Sequence, residues 1–139
     1  MMKKVQVWVV SGHKVLLLRV IEKRGGNWHP ITANLEKGES LLRCAKRETL
    51  EETGIKERKG KWLSLDFSFE YHGRWGHAIE HVYALVLKEH PLELKMDPSE
   101  HTEYCWVSFA EAKKRLKFKL QKDALQLLIK VMKKRLPEN

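Results

Sequence analysis

The chain has two cysteines, Cys44 and Cys105, in 139 residues. They lie far apart, which excludes a disulfide framework and any metal site built on a cysteine pair. Each reads as a free thiol, Cys44 within a helix and Cys105 within a strand. No apolar run approaches the roughly 20 residues that span a bilayer, so no membrane partner is expected. The N-terminus begins Met1-Met2-Lys3-Lys4, but Gln6 breaks the apolar run that follows and Ser11-Gly12-His13-Lys14 ends it. That pattern reads as a strand and turn rather than a signal peptide. Internal repeats and low-complexity segments are absent. A single domain over 1–139, located in the cytoplasm, is the expectation.

Acidic residues are in the minority: 27 Lys and Arg against 18 Asp and Glu leave a net charge of +9. An excess of that size favours anionic partners. Its densest part is C-terminal, where basic residues alternate with apolar ones at helical spacing. That arrangement suits a solvated helix face better than a nucleic-acid patch.

The runs at 5–10 and 15–20 are apolar and β-branched, separated by a turn, and predict a hairpin. A short strand is expected over 31–35. Ser40 is a good N-cap for a helix over 41–53, and Gly54 is the glycine that closes it. Leu41, Ala45 and Leu50 are candidates for its buried side. Residues 62–70 and 78–88 predict a long hairpin, with an exposed turn between them carrying Tyr71 and Trp75. A strand over 103–107 follows. Ser108 and Glu111 form a capping-box pattern before a short helix. A last helix over 120–134 places Leu120, Ala124, Leu127, Leu128 and Val131 at helical spacing. Strands, a helix, strands and further helices predict a mixed sheet between helical layers.

The chemistry concentrates on the helix over 41–53. Glu48 and Glu52 are i,i+4 and Glu48 and Glu51 are i,i+3, so all three carboxylates share one side. Like charges so placed repel unless they are solvated or hold a cation, and hard divalent ions take such oxygen ligands. Three such glutamates alone read as an exposed acidic helix, but their flanks carry a further pattern. Glu39 is followed by seven residues, then Arg47-Glu48, Thr49, Leu50, Glu51-Glu52, Thr53, Gly54 and Ile55.

This pattern resembles the Nudix box, G-x5-E-x7-R-E-U-x-E-E-x-G-U with U aliphatic, placed over residues 33–55. Two positions depart from it: Ala33 stands for the first glycine and Thr49 for the first aliphatic residue. The resemblance implies an α/β fold, an α/β/α sandwich of a mixed sheet flanked by helices. Within the family, the segments at 28–39 and 100–106 look closest to the bacterial dihydroneopterin triphosphate/dATP pyrophosphohydrolases. The activity implied is hydrolysis of a nucleoside-triphosphate-like substrate to monophosphate and pyrophosphate, with Mg²⁺, or Mn²⁺ in its place. The alternatives are a dinucleoside polyphosphate or capped-RNA hydrolase, which would make an RNA end the one nucleic-acid partner, and a non-catalytic nucleotide sensor.

The resemblance also assigns roles. Glu48, Glu51 and Glu52 are the expected metal ligands, joined by the backbone carbonyl of Thr32. Glu51 and Glu52 are thereby catalytic, and Arg47 and Glu39 orient them. Glu100 is the expected general base, with Glu103 and Glu80 as rivals. Thr32, Arg19, Lys4 and Trp28 are expected to bind substrate, with Arg24 a further phosphate clamp and Tyr71 and Trp75 further stacking surfaces. His77, His81 and His101 match no strong zinc spacing and read as exposed or hydrogen-bonded histidines.

Overall fold

The structure is a computed structural model that describes residues 1–74 and 76–135. Strand β1 (Met2–Ser11) is its axis. One edge of β1 pairs in parallel with β6 (Gly76–Leu87), from Met2 opposite Ala78 to Val10 opposite Val86. The other edge is shared. It pairs antiparallel with β4 (Ile31–Asn34) over Lys4 to Val7 and with β2 (Lys14–Val20) at Val10 and Ser11. The expected hairpin forms, but it holds only at its turn, where Gly12 takes a φ of 61°. That conformation suits glycine at the first position of a two-residue turn. Beyond the turn β2 diverges to pair with β7 (His101–Ser108) and with β3 (Trp28–His29). β5 (Gly60–Gly73) closes the sheet against β6 as the long hairpin.

Two cores follow from strict alternation. Val5, Val7 and Val9 face one side of β1 with Leu16 and Leu18 of β2, and they meet Cys44 and Ala45 of helix α1 (Leu41–Thr53) and Ile55. Trp8 and Val10 face the other side with Val15 and Leu17. There they meet α2 (Phe109–Arg115) and α3 (Lys119–Arg135) through Ala112, Leu116, Leu125 and Leu128. Period-2 side chains apolar on both faces are what a sheet covered on both sides requires. The arrangement is an α/β/α sandwich.

Several expectations change in detail. Leu50 is 48% exposed. The buried face of α1 runs through Cys44, Ala45, Thr49, Glu52 and Thr53, and a residue five positions past Ala45 lies about 140° around the helix from it. On α3 the buried stripe is Ala124, Leu125, Leu128 and Met132, rotated slightly from the expected one, with Leu127 and Val131 at its margin. Ser108 accepts from the Glu111 amide as an N-cap should, but the Glu111 carboxylate takes Arg115 at 2.9 Å instead of returning to the cap. Cys44 is buried and Cys105 only half-buried. Burial pushes the Cys44 thiol up to about 12, so it is inert.

Candidate active site

Helix α1 is fixed at both ends. The Ser40 hydroxyl accepts from the Arg43 amide at 3.1 Å, and Gly54 closes the last turn at a φ of 78°. Gly38, at a φ of 79°, turns the chain so that Glu39 faces the helix it precedes. Glu39 and Arg47 then form a two-pronged pair, Nε to Oε2 at 2.6 Å and Nη2 to Oε1 at 3.0 Å. Paired N–H donors on one carboxylate fix orientation as well as distance. The third guanidinium nitrogen, Nη1, donates to Glu48 at 2.8 Å and to Glu51 at 3.2 Å. The Arg47 side chain is only 20% exposed and Glu39 9%. Hydrogen bonding from Arg47 holds the Glu39 carboxyl down at about 2. Arg47 is therefore the clasp that sets the first two acids of the cluster.

The third acid goes elsewhere. Glu52 is 5% exposed and turns toward β7. There the Asp97 carbonyl accepts from the Glu100 and His101 amides at 3.1 and 3.0 Å, and the Glu100 carbonyl accepts from the Ile21 amide at 3.1 Å. These bonds press Glu100 and His101 against the helix. Donor atoms of Glu52, Glu100 and His101 lie within 4.8 Å of one another. Glu52 Oε2 and His101 Nδ1 are 2.8 Å apart, yet the approach is not aligned as a hydrogen bond, and both buried atoms lack a hydrogen-bond partner. Behind them, His101 Nε2 meets His29 Nε2 at 2.9 Å, with the rings stacked.

The electrostatics mark this cluster. Burial first, then the neighbouring acids, push the Glu48 carboxyl up against the pull of Arg47. Burial also raises Glu52, but close contact with His101 and Glu100 outweighs it and leaves Glu52 below the usual range. Contact with the Glu52 carboxylate, together with burial, pushes Glu100 up to about 7. Burial and the adjacent His101 drive His29 down to about 3.

A cleft of about 630 Å³ opens beside the cluster. Glu48, Glu100 and His101 line it, and so do Lys4, Arg24 and Thr32. Tyr71 lines it too, with its hydroxyl donating to Glu80 at 3.0 Å. Ala33 lies in β4 opposite Val5 and is 8% exposed, in ordinary strand conformation. The alanine in place of the pattern's glycine is accommodated without strain.

Other expected residues are not brought to the cleft. Arg19 donates to Glu103 at 2.8 Å, Glu22 at 3.0 Å and the Gly26 carbonyl at 3.1 Å, so it braces β2 and occupies Glu103 as well. Trp28 packs on the core with the Arg115 guanidinium 5.3 Å above its ring. Glu80 is 3% exposed and bonded on both oxygens, by Gln6 at 2.6 Å and Tyr71. Glu51 is half-exposed and held by Arg47. Trp75 lies outside the described residues. His77 stacks on His72, away from His101. His29 is the residue that the sequence did not flag. Its pairing depends on β2 standing between β3 and β7, which no local pattern announces.

The donors suit a divalent cation. Glu48 and Glu52 rise from successive turns, Glu52 presents a buried oxygen without a hydrogen-bond partner, and the ligand chemistry is hard. Among the described residues Arg47 pairs with Glu48 at 2.8 Å, and His101 stands 2.8 Å from Glu52.

Comparison with known proteins agrees with this architecture. The family model described as NUDIX domain matches residues 2–128. An Ap4A hydrolase of C. elegans superposes with a TM-score of 0.85 at 18% identity, covering 96% of this chain and 99% of that one. The dihydroneopterin triphosphate pyrophosphohydrolase of E. coli gives 0.79 at 19% identity, over 89% and 92%. A MutT protein of Methanosarcina mazei gives 0.77 at 22% identity, over 95% of each chain. At such identities the likeness is one of fold. A protein of Myxococcus xanthus named octanoyltransferase is 30% identical over 128 residues, 84% of this chain and 34% of its own length. The chain thus spans about a third of that curated relative.

Proposed function

The chain belongs to the Nudix family, and on that footing we propose that it is a divalent-metal-dependent pyrophosphohydrolase. Its substrate is a nucleoside-triphosphate-like molecule, a dNTP or dihydroneopterin triphosphate, cleaved to a monophosphate and pyrophosphate. The observation that carries the reading is the placement of two charge types in one cleft. Glu48 of α1 and Glu100 line it together with Lys4 and Arg24.

Each residue has a task in such a reaction. Lys4 and Arg24 meet the polyphosphate and neutralise its oxygens, which lets it approach a wall of acids. Thr32 contributes at the strand end beside them. Glu48 and Glu52 would hold Mg²⁺, or Mn²⁺, with Glu51 and the Thr32 carbonyl as further ligands. The bound ion supplies charge neutralisation of the phosphate and a more acidic water. Glu100 takes the proton as the water oxygen bonds to phosphorus. The bridging P–O bond then breaks, and pyrophosphate leaves. Arg47 and Glu39 fix the helix side chains so that little freedom is lost on binding.

The test is a panel of triphosphates and dinucleoside polyphosphates incubated with purified protein and Mg²⁺. Release of pyrophosphate from a triphosphate supports the reading. Tight nucleotide binding with no turnover on any member would identify a sensor instead. In the same assay Glu100→Gln is expected to lose about 10²–10⁴ in kcat. Full activity in that variant would move the base role to another acid.

A further inference from the structure

Arg19 stands outside the cleft with every guanidinium nitrogen engaged. Nε donates to the Gly26 carbonyl at 3.1 Å, Nη2 to Glu22 at 3.0 Å and Nη1 to Glu103 at 2.8 Å. Glu103 belongs to β7, whereas Glu22 and Gly26 belong to the loop between β2 and β3. The ladder of β2 with β7 slips at this point, where Arg19 lies opposite Glu103 and Val20 opposite His101. One side chain thus ties a loop to the sheet at a place where the strand pairing itself is irregular.

The loop holds a glycine pair, Gly25 and Gly26, at φ values of 115° and 66°. Successive amides in such a turn bind anions when they point outward. Here they point inward. The Arg24 and Gly26 amides donate to the Ile21 carbonyl at 2.9 and 3.3 Å, and the Gly25 amide donates to the Glu22 carbonyl at 3.0 Å. What the loop offers the cleft is therefore side chains, those of Arg24 and Asn27. Arg24 is exposed and, among the described residues, has no hydrogen-bond or ion-pair partner. The place of its charge is set by the shape of the loop, and Arg19 holds that shape at two points.

We propose that Arg19 is a positioning residue for polyphosphate binding: it clamps the 22–27 loop to β7 and so sets Arg24 at the cleft. The inference rests on the hydrolase reading only in taking a polyphosphate as the anion that Arg24 meets. A single exposed ion pair holds little. A planar guanidinium that engages three separate points fixes orientation as well, which an ammonium group does not copy. The Ile21 amide donates to the Glu100 carbonyl at 3.1 Å without help from the Arg19 side chain. Loss of that side chain should therefore loosen binding and spare the chemistry.

The probe is inorganic tripolyphosphate, titrated by calorimetry into the full chain in the presence of a chelator so that no turnover intervenes. Arg24→Gln should weaken binding at least about tenfold, the loss of one hydrogen bond between charged groups. Arg19→Gln should weaken it at least about threefold, and the double variant should stay within about twofold of Arg24→Gln alone, because one residue acts through the other. Arg19→Lys should bind as weakly as Arg19→Gln. Gly26→Ala attacks the clamp from the loop side and carries the test where Arg19→Gln does not fold. A Cβ there stands 2.9 Å from both Glu22 carboxylate oxygens, so the acid held by Arg19 must move and binding should weaken likewise. Wild-type affinity in any of these variants, or losses that multiply in the double variant, would overturn the proposal. Triphosphate kinetics on the same samples separate the two readings. Arg19→Gln should raise KM and leave kcat within about twofold of wild type. Turnover with Arg19-independent tripolyphosphate affinity sinks the clamp alone, and Arg19-dependent affinity without turnover of any triphosphate sinks the hydrolase alone.

Discussion

Among the described residues two glutamates are buried, and they are treated in opposite ways. Glu80, on β6, is 3% exposed, and Glu52, on α1, is 5% exposed. Glu80 receives Gln6 Nε2 at 2.6 Å on one oxygen and the Tyr71 hydroxyl at 3.0 Å on the other. Gln6 in turn accepts from Trp8 Nε1 at 2.7 Å. Burial raises the Glu80 carboxyl, and its neighbours only temper that rise. Glu52 has an oxygen with no hydrogen bond, close to His101 and Glu100, and its carboxyl is lowered. A satisfied buried acid stabilises a fold, because removing it would strand its partners. An unsatisfied one costs stability and persists where a ligand completes it. Burial alone does not separate structure from function here; completeness of the hydrogen bonding does.

The comparison can be broken from its functional side first. Chelation of divalent metal should abolish turnover, a loss of at least about 10³-fold, since the barrier reduction assigned to the bound ion is several kcal/mol. Readdition of Mg²⁺ should restore it. Persistent pyrophosphate release in chelator would remove the acids of α1 from the chemistry. From the structural side, Glu80→Ala should lower stability by about 3 kcal/mol, leaving Gln6 and Tyr71 without their acceptor. Urea denaturation measures this, and a change within 0.5 kcal/mol, about the scatter of ordinary surface substitutions, would show that the network is dispensable.

A smaller effect concerns the Glu39–Arg47 clasp. The Glu39 carboxyl is lowered from 4.5 to about 2 in the folded chain. Its contribution to stability is therefore present above pH 4.5 and disappears as pH falls toward 2. The Tm difference between wild type and Glu39→Gln should shrink steadily over that window. A difference that stays constant with pH would mean that the pair is not formed. The smallest effect belongs to Leu50. Its side chain is exposed, so Leu50→Gln should change stability by no more than about 0.5 kcal/mol. A loss of 2 kcal/mol or more, typical of an emptied core site, would place it inside after all.

Where local chemistry decides, the sequence was legible. Ser40 and Gly54 bound α1 at the expected residues because capping is a contact within a few positions. Strand β1 could be read from its β-branched residues although Gln6 interrupts them, and the acids of α1 from their spacing. The polarity of α1 misled in one place. Thr49 and Thr53 are buried and turn their hydroxyls back to the Ala45 and Thr49 carbonyls at 2.8 and 2.6 Å, which makes polar residues serve as core. Leu50 is left outside as a result. Contacts between distant strands were not legible. Arg19 looked like a phosphate clamp until β7 brought Glu103 across from it. His29 and His101, 72 residues apart, meet only because β2 pairs with both β3 and β7.

The most direct test sets the two glutamates side by side. Pyrophosphate release from the best triphosphate of the panel is measured for Glu52→Gln and Glu80→Gln at saturating Mg²⁺. The account predicts a fall of at least about 10³-fold for Glu52→Gln, with Glu80→Gln within about threefold of wild type. Near-normal release by Glu52→Gln, or an equal loss in both variants, would contradict it.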